Sequence, residues 1–124
     1  RRSCSVNVSG PVQSAMLTEA GSKLGSVLDD VEIREVQTPY VSNVTAEYVT
    51  DKNQVKELLQ KQIYSSVRWQ PSVENMIAQG VDTFIEIGPG KTLSGFLRKI
   101  NRDMTALNVE KVEDIDKVLA AMSM

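Results

Sequence analysis

From Met16 onward the apolar residues Leu17, Ala20, Leu24, Val27, Leu28 and Val31 recur at intervals of three and four, which predicts an amphipathic helix with Ser14 as its cap. Gly21 and Gly25 fall inside that pattern. Glycine in a helix interior costs about 1 kcal/mol relative to alanine, so the pair points to close packing against another element. Upstream, weak alternation over residues 5–8 predicts a short strand, and Gly10 and Pro11 break it just before Gln13. Residues 31–36 alternate as an edge strand, and residues 40–44 follow Pro39 as a short strand bounded by polar residues. Thr50 or Asp51 then caps a helix whose stripe is Val55, Leu58, Leu59 and Ile63, ending near Ser65 and Ser66. Pro71 suits the first turn of a third helix carrying Val73, Met76 and Ile77, and Gly80 suits its left-handed close.

Residues 83–87 are a compact run of β-formers leading straight into Gly88-Pro89-Gly90, after which Leu93, Phe96, Leu97 and Ile100 take up helical spacing. Residues 104–109 form another apolar run. Ile115, Val118, Leu119 and Met122 then predict a last helix, with Glu113, Asp114 and Asp116 in its first turn. Helices alternating with strands in this way predict an α/β fold, a parallel sheet with right-handed crossovers and flanking helices.

Composition narrows the setting. The chain has 124 residues, 41% hydrophobic and 24% charged, with a net charge of −2, which is ordinary for a folded chain able to form a core. That balance gives no basis for general binding to nucleic acid or to an anionic membrane. No apolar run is as long as a membrane span, and the start lacks a signal peptide's charged and apolar regions, so the expected location is cytoplasmic. Cys4 is the single cysteine, which excludes an internal disulfide, and there is no histidine or cysteine pair to suggest a zinc site.

Gly88-Pro89-Gly90-Lys91-Thr92 suggests a phosphate loop, because glycine-rich turns at helix starts present backbone N–H groups to anions. A complete phosphate loop also needs glycine five positions before Gly90, where this chain has Ile85. A tight turn that lets helix and strand pack closely is the favoured reading.

Three stretches acquire meaning together: Val8-Ser9-Gly10-Pro11-Val12-Gln13-Ser14-Ala15-Met16-Leu17, Lys61-Gln62-Ile63-Tyr64 with Val67-Arg68-Trp69, and Glu86-Ile87-Gly88-Pro89-Gly90-Lys91-Thr92-Leu93-Ser94-Gly95. In order and spacing they resemble the malonyl-CoA:acyl carrier protein transacylases of fatty acid synthesis. The resemblance implies that residues 1–124 are the C-terminal portion of an α/β-hydrolase-like acyltransferase domain, with residues 1–10 at the end of its smaller subdomain. It implies malonyl-CoA and acyl carrier protein as partners, together with an upstream remainder of the same enzyme, and no metal or prosthetic group. The implied reaction is a ping-pong transfer: a serine on a nucleophile elbow takes malonyl from coenzyme A and passes it to the carrier's phosphopantetheine thiol. A histidine activates that serine, since a hydroxyl is a poor nucleophile until a base takes its proton.

The chain departs from that pattern in two ways. It contains neither the Gly-x-Ser-x-Gly elbow nor the segment with the family's malonyl-binding arginine, so the chain by itself is expected to be inert. Gln13 also stands where the family has its histidine. Its amide offers one acceptor and two donors but no titratable site, so it can orient a hydroxyl without accepting its proton. Gln62 matches the family residue that holds the histidine in place, a role that here would turn toward Gln13. Trp69 either lines a pocket or, as large aromatics more often do, anchors the core. Lys91, Arg98, Lys99 and Arg102 form a solvated basic face or a surface for an acidic carrier protein. The missing elbow and base leave two other readings open: a non-catalytic α/β module that binds a carrier protein or pantetheine arm, and a structural scaffold.

Overall fold

The computed structural model describes residues 15–123, and its contacts divide the chain into two compact units, Arg1–Ser72 and Val73–Met124.

In the first unit a 3-10 turn, Ala15–Leu17, leads into α1, Thr18–Asp29. The predicted cap Ser14 lies outside the described residues. Thr18 Oγ1 donates to the Ala15 carbonyl at 2.6 Å across the entry turn. α1 buries Gly21 and Gly25, while Ala20 and Val27 face solvent with Val31 beyond the helix, so the packed face is narrower than the apolar stripe suggests. Residues 31–36 form no strand, which corrects the expectation of an edge strand there. Alternation specifies a strand only where a neighbouring strand can pair with it. Residues 31–36 find none among the described residues, and Val31 remains half exposed.

The second expected strand is present but shorter. β1, Tyr40–Val41, pairs antiparallel with β2, Tyr48–Val49, matching Tyr40 with Val49 and Val41 with Tyr48. The pattern missed β2 because residues 42–46 are a turn. Ser42 Oγ accepts from the Val44 N–H at 3.2 Å, the Ala46 N–H donates to the Ser42 carbonyl at 2.8 Å, and Ala46 adopts φ +61°. α2, Lys52–Gln62, begins at Asp51, whose carboxylate accepts from the Asn53 N–H at 2.9 Å, so of the two caps the sequence offered, Thr50 and Asp51, it is Asp51 that serves.

α3, Trp69–Ala78, carries Pro71 in its first turn and closes at Gly80 with φ +98°. The division between the units falls within it.

The second unit contains β3, Thr83–Ile87, then α4, Thr92–Ile100, then β4, Thr105–Val109, then α5, Val112–Met122. β3 and β4 are parallel and in register from Thr83 opposite Thr105 to Ile87 opposite Val109. A parallel pair with intervening and following helices is the α/β arrangement expected from the alternation. Leu97 of α4 and Val118 of α5 are its buried apolar residues alongside Val73. α5 starts under an acidic cap, as the sequence suggested. Asp114 Oδ2 accepts from the N–H groups of Glu110 and Lys111 at 3.0 Å each, and those bonds, Lys111's first, lower its pKa. No helix among the described residues is long and apolar enough to cross a membrane.

Candidate active-site segments

Gln13 lies outside the described residues, whereas Gln62 is placed. It is the last residue of α2 and lines an open groove of about 420 Å³ with Leu24, Leu28, Leu59 and Ile63.

The groove follows from how α1 meets α2. Gly21 faces Tyr64, Gly25 faces Gln60, and Asp29 binds Lys56. Each step of four along α1 is matched by a step of four backward along the other segment, so the two helices run antiparallel in contact. A Cβ on Gly21 would stand 2.9 Å from two Tyr64 ring carbons and 3.2 Å from the Gln60 carbonyl oxygen. One on Gly25 would stand 2.6 Å from Gln60 Oε1. Glycine at both positions is what permits the close approach inferred from the sequence. As a result, the start of α1 lies at the C-terminal end of α2, the end that carries Gln62. The groove's four apolar walls and single amide can enclose an uncharged segment and orient one polar atom. None of the five lining residues is titratable, so they cannot move a proton.

Arg68, from the same stretch of sequence, has a structural task. Its Nη1 donates to the Thr45 carbonyl at 3.0 Å and its backbone N–H to the Asn43 carbonyl at 3.0 Å, tying the 42–46 turn to the start of α3. Trp69 is half-buried, and its indole N–H is enclosed without a hydrogen-bond partner among the described residues.

In the second unit the glycine turn connects β3 to α4. Gly88 and Gly90 hold φ of +139° and +80°, backbone that other residues adopt only with strain, and this explains why both positions are glycine. The first turn of α4 is occupied from within. Glu86 Oε1 accepts from the Leu93 N–H at 3.1 Å, while Oε2 accepts from the Ser94 N–H at 2.8 Å, Ser94 Oγ at 2.7 Å and Asn108 Nδ2 at 3.3 Å. Asn108 also donates to Ser94 Oγ at 2.9 Å. The Ser94 hydroxyl bond, followed by the Ser94 backbone bond, holds the Glu86 pKa below its ordinary value. Gly90 N–H donates to Glu110 Oε1 at 3.3 Å. The anion that a phosphate loop would recruit from solution is thus supplied here by side chains, in agreement with the tight-turn reading. This Glu86–Ser94–Asn108 cluster escaped the sequence reading. The available signal was two polar residues, Glu86 and Asn108, inside apolar strands at positions that prove to be in register.

No protein-family model matches the chain. It is 42% identical over 122 residues to a protein of Bacillus subtilis named malonyl CoA-acyl carrier protein transacylase, covering 98% of this chain and 38% of that relative. To the protein of the same name from Staphylococcus aureus strain COL it is 44% identical over 108 residues, 87% of this chain and 35% of the relative. Among solved structures, the malonyl CoA-acyl carrier protein transacylase of Clostridium perfringens superposes with a TM-score of 0.87 at 41% identity, over 95% of this chain and 37% of that one. A malonyl-transacylase solved in complex with AntF, a type II PKS acyl-carrier protein, gives 0.87 at 32% identity, over 94% and 38%. Over nearly all of its length, then, the chain is homologous to the malonyl CoA-acyl carrier protein transacylases and shares their α/β fold, spanning little more than a third of their length.

Proposed function

We propose that this chain is the C-terminal portion of a cytoplasmic transacylase that moves malonyl from coenzyme A to the phosphopantetheine thiol of an acyl carrier protein. The observation carrying the reading is 42% identity sustained over 98% of the chain to a protein of that name. In this reading a serine outside the chain is the nucleophile. Its oxygen attacks the malonyl thioester carbonyl as its proton passes to a base, coenzyme A leaves as the thiol, and the carrier thiol then takes the acyl group in the reverse sense. The chain supplies the position of the base, held by Gln13, and the orienting amide of Gln62. The antiparallel contact of α1 and α2 supports bringing the two together, because the start of α1 lies at the end of α2 that bears Gln62.

Gln13 sets the rate in this proposal. An amide can position the serine hydroxyl but cannot receive its proton, so the complete enzyme is slower by roughly 10²- to 10⁴-fold than one with histidine. The test is a chimera in which this chain replaces the matched stretch of the Bacillus subtilis relative, assayed with labelled malonyl-CoA and acyl carrier protein. Gln13→His should transfer malonyl, and the Gln13 chimera should lag by that factor. Equal rates would overturn the role of Gln13, and a folded Gln13→His chimera that transfers nothing would overturn the function. Gln13 itself favours one second reading, a non-catalytic module for a carrier protein or its pantetheine arm, under which both chimeras bind carrier and neither transfers.

A further inference from the structure

The crossing of α1 over α2 is held at three levels, and they differ in hardness. At the level farthest from the start of α1, Asp29 and Lys56 pair through exposed, flexible side chains, and such pairs fix little. At the middle level Gly25 faces only the terminal amide of Gln60, which can swing aside. At the level nearest the start of α1, Gly21 faces the edge of the Tyr64 ring and the Gln60 carbonyl oxygen, an aromatic plane and a piece of main chain. Of the three, this contact is the one that resists compression. The Tyr64 N–H donates to the Lys61 carbonyl at 3.3 Å and the Ile63 N–H to the Gln60 carbonyl at 3.4 Å, so the ring hangs from the same closing turn of α2 that carries Gln62.

That hard stop lies close to the candidate reacting end. Gly21 is six residues after Ala15 and four before Gly25, which along a helix axis is about 9 Å and about 6 Å. A methyl on Gly21 would start 2.9 Å from Tyr64 Cδ1 and Cε1, roughly 0.6 Å inside carbon–carbon contact. A helix that yields to it shifts by that amount as a rigid body, or tilts about the Gly25 level and moves by about 1.5 Å at Ala15. Misplacing a reacting group by about 1 Å can cost on the order of 10²-fold in rate. Helix packing away from any substrate thereby gains a hold on the chemistry.

We propose that Gly21 and Tyr64 are positioning residues for the transfer, their contact gauging how far the start of α1, and with it position 13, stands from Gln62. Glycine is required at position 21 because a bare backbone lets the helix rest on the ring. The inference rests on the preceding reading that position 13 is the place of the base, and it adds the pair that sets the distance. Both residues act through the helix crossing and need no contact with substrate.

The test has two arms. In the Gln13→His chimera, Gly21→Ala should lower kcat for malonyl loading from malonyl-CoA by about tenfold or more and leave KM within about twofold, because the base is displaced while the binding surfaces are retained. Adding Tyr64→Val, which removes both ring carbons that the methyl meets, should restore kcat to within about threefold of the parent chimera, and Gly25→Ala alone should cost less than about threefold. Thermal unfolding of every variant confines the rates to folded protein. The second arm needs no activity. In the full chain with Cys4→Ser, nitroxide labels at Met16→Cys and Lys61→Cys report the separation of the start of α1 from the end of α2 by dipolar electron paramagnetic resonance. Gly21→Ala should lengthen it by about 0.6–1.5 Å, Tyr64→Val should reverse that change, and Gly25→Ala should leave the distance as it is. An unchanged distance in Gly21→Ala would overturn the proposal, as would an unchanged kcat, a loss carried by KM, or no recovery on adding Tyr64→Val. A parent chimera that loads no malonyl would count against the transfer reading alone, since the distances still decide whether the contact is a gauge.

Discussion

Alanine should be tolerated better at Gly25 than at Gly21, although the two substitutions are chemically identical and lie one turn apart. Each gains about 1 kcal/mol of helix propensity. At position 21 the new methyl would sit 2.9 Å from Tyr64 Cδ1 and Cε1 and 3.2 Å from a backbone carbonyl of Gln60. Carbon atoms rest at about 3.5–4.0 Å, so roughly 0.6 Å or more must be found by moving a ring and a segment of main chain. Overpacking of that kind costs about 1–3 kcal/mol, leaving Gly21→Ala destabilised by roughly 0–2 kcal/mol. At position 25 every close atom belongs to the Gln60 amide, at 2.6, 2.8 and 3.0 Å, the free end of a flexible side chain. It can rotate away at a cost of about 0.5–1.5 kcal/mol for an off-rotamer angle or for none if another rotamer is open, so Gly25→Ala is expected between about 0.5 kcal/mol less stable and about 1 kcal/mol more stable than the parent. Urea denaturation followed by helical circular dichroism reads the difference directly as a shift in midpoint at constant slope. If Gly25→Ala loses as much as Gly21→Ala, or if Gly21→Ala stabilises, the antiparallel α1–α2 contact is wrong, and with it the placement of Gln62 at the end where α1 begins.

Two further outcomes follow from the second unit. Because its hydrogen bonds, the Ser94 hydroxyl's first, lower the Glu86 pKa in the folded chain, the stability they contribute is present above the ordinary value of 4.5 and is lost as pH falls through the lower folded value. Glu86→Gln should therefore unfold more easily than the parent at neutral pH, with the gap closing in acid, and a gap constant across denaturation curves from neutral to acid would refute the charged cap. Gly90→Ala should lose about 1–2 kcal/mol from its φ of +80° alone, since a Cβ there meets nothing within 4 Å, and a Tm equal to the parent's would show that the turn relaxes to another conformation.

The parts of the fold legible in the sequence were those governed by local chemistry. Asp51 capping α2, Gly80 closing α3, β3 at residues 83–87 and the acidic start of α5 each follow from a residue type acting on its immediate neighbours. The parts that were not legible depend on partners distant along the chain. Residues 31–36 have strand alternation without a strand to pair with, and β2 exists because the 42–46 turn folds the chain back, helped by Arg68 more than twenty residues away. The candidate site divides in the same way. The glycine turn was legible from its residues and Gln62 was proposed only through the family resemblance, whereas the role of Glu86 required Asn108, twenty-two residues on, to be in register beside it. Gln13 was singled out by its chemistry in a borrowed pattern, and its position lies outside the described residues.

The internally supplied carboxylate at the head of α4 bears on what can regulate this protein. Nucleotides and free phosphate are abundant competitors for any helix start with idle donors, and a glycine-rich turn followed by lysine would ordinarily attract them. Here the amides of Leu93 and Ser94 are already committed to Glu86. A phosphate group from solution would therefore have to displace the Glu86 carboxylate before it could reach those two amides.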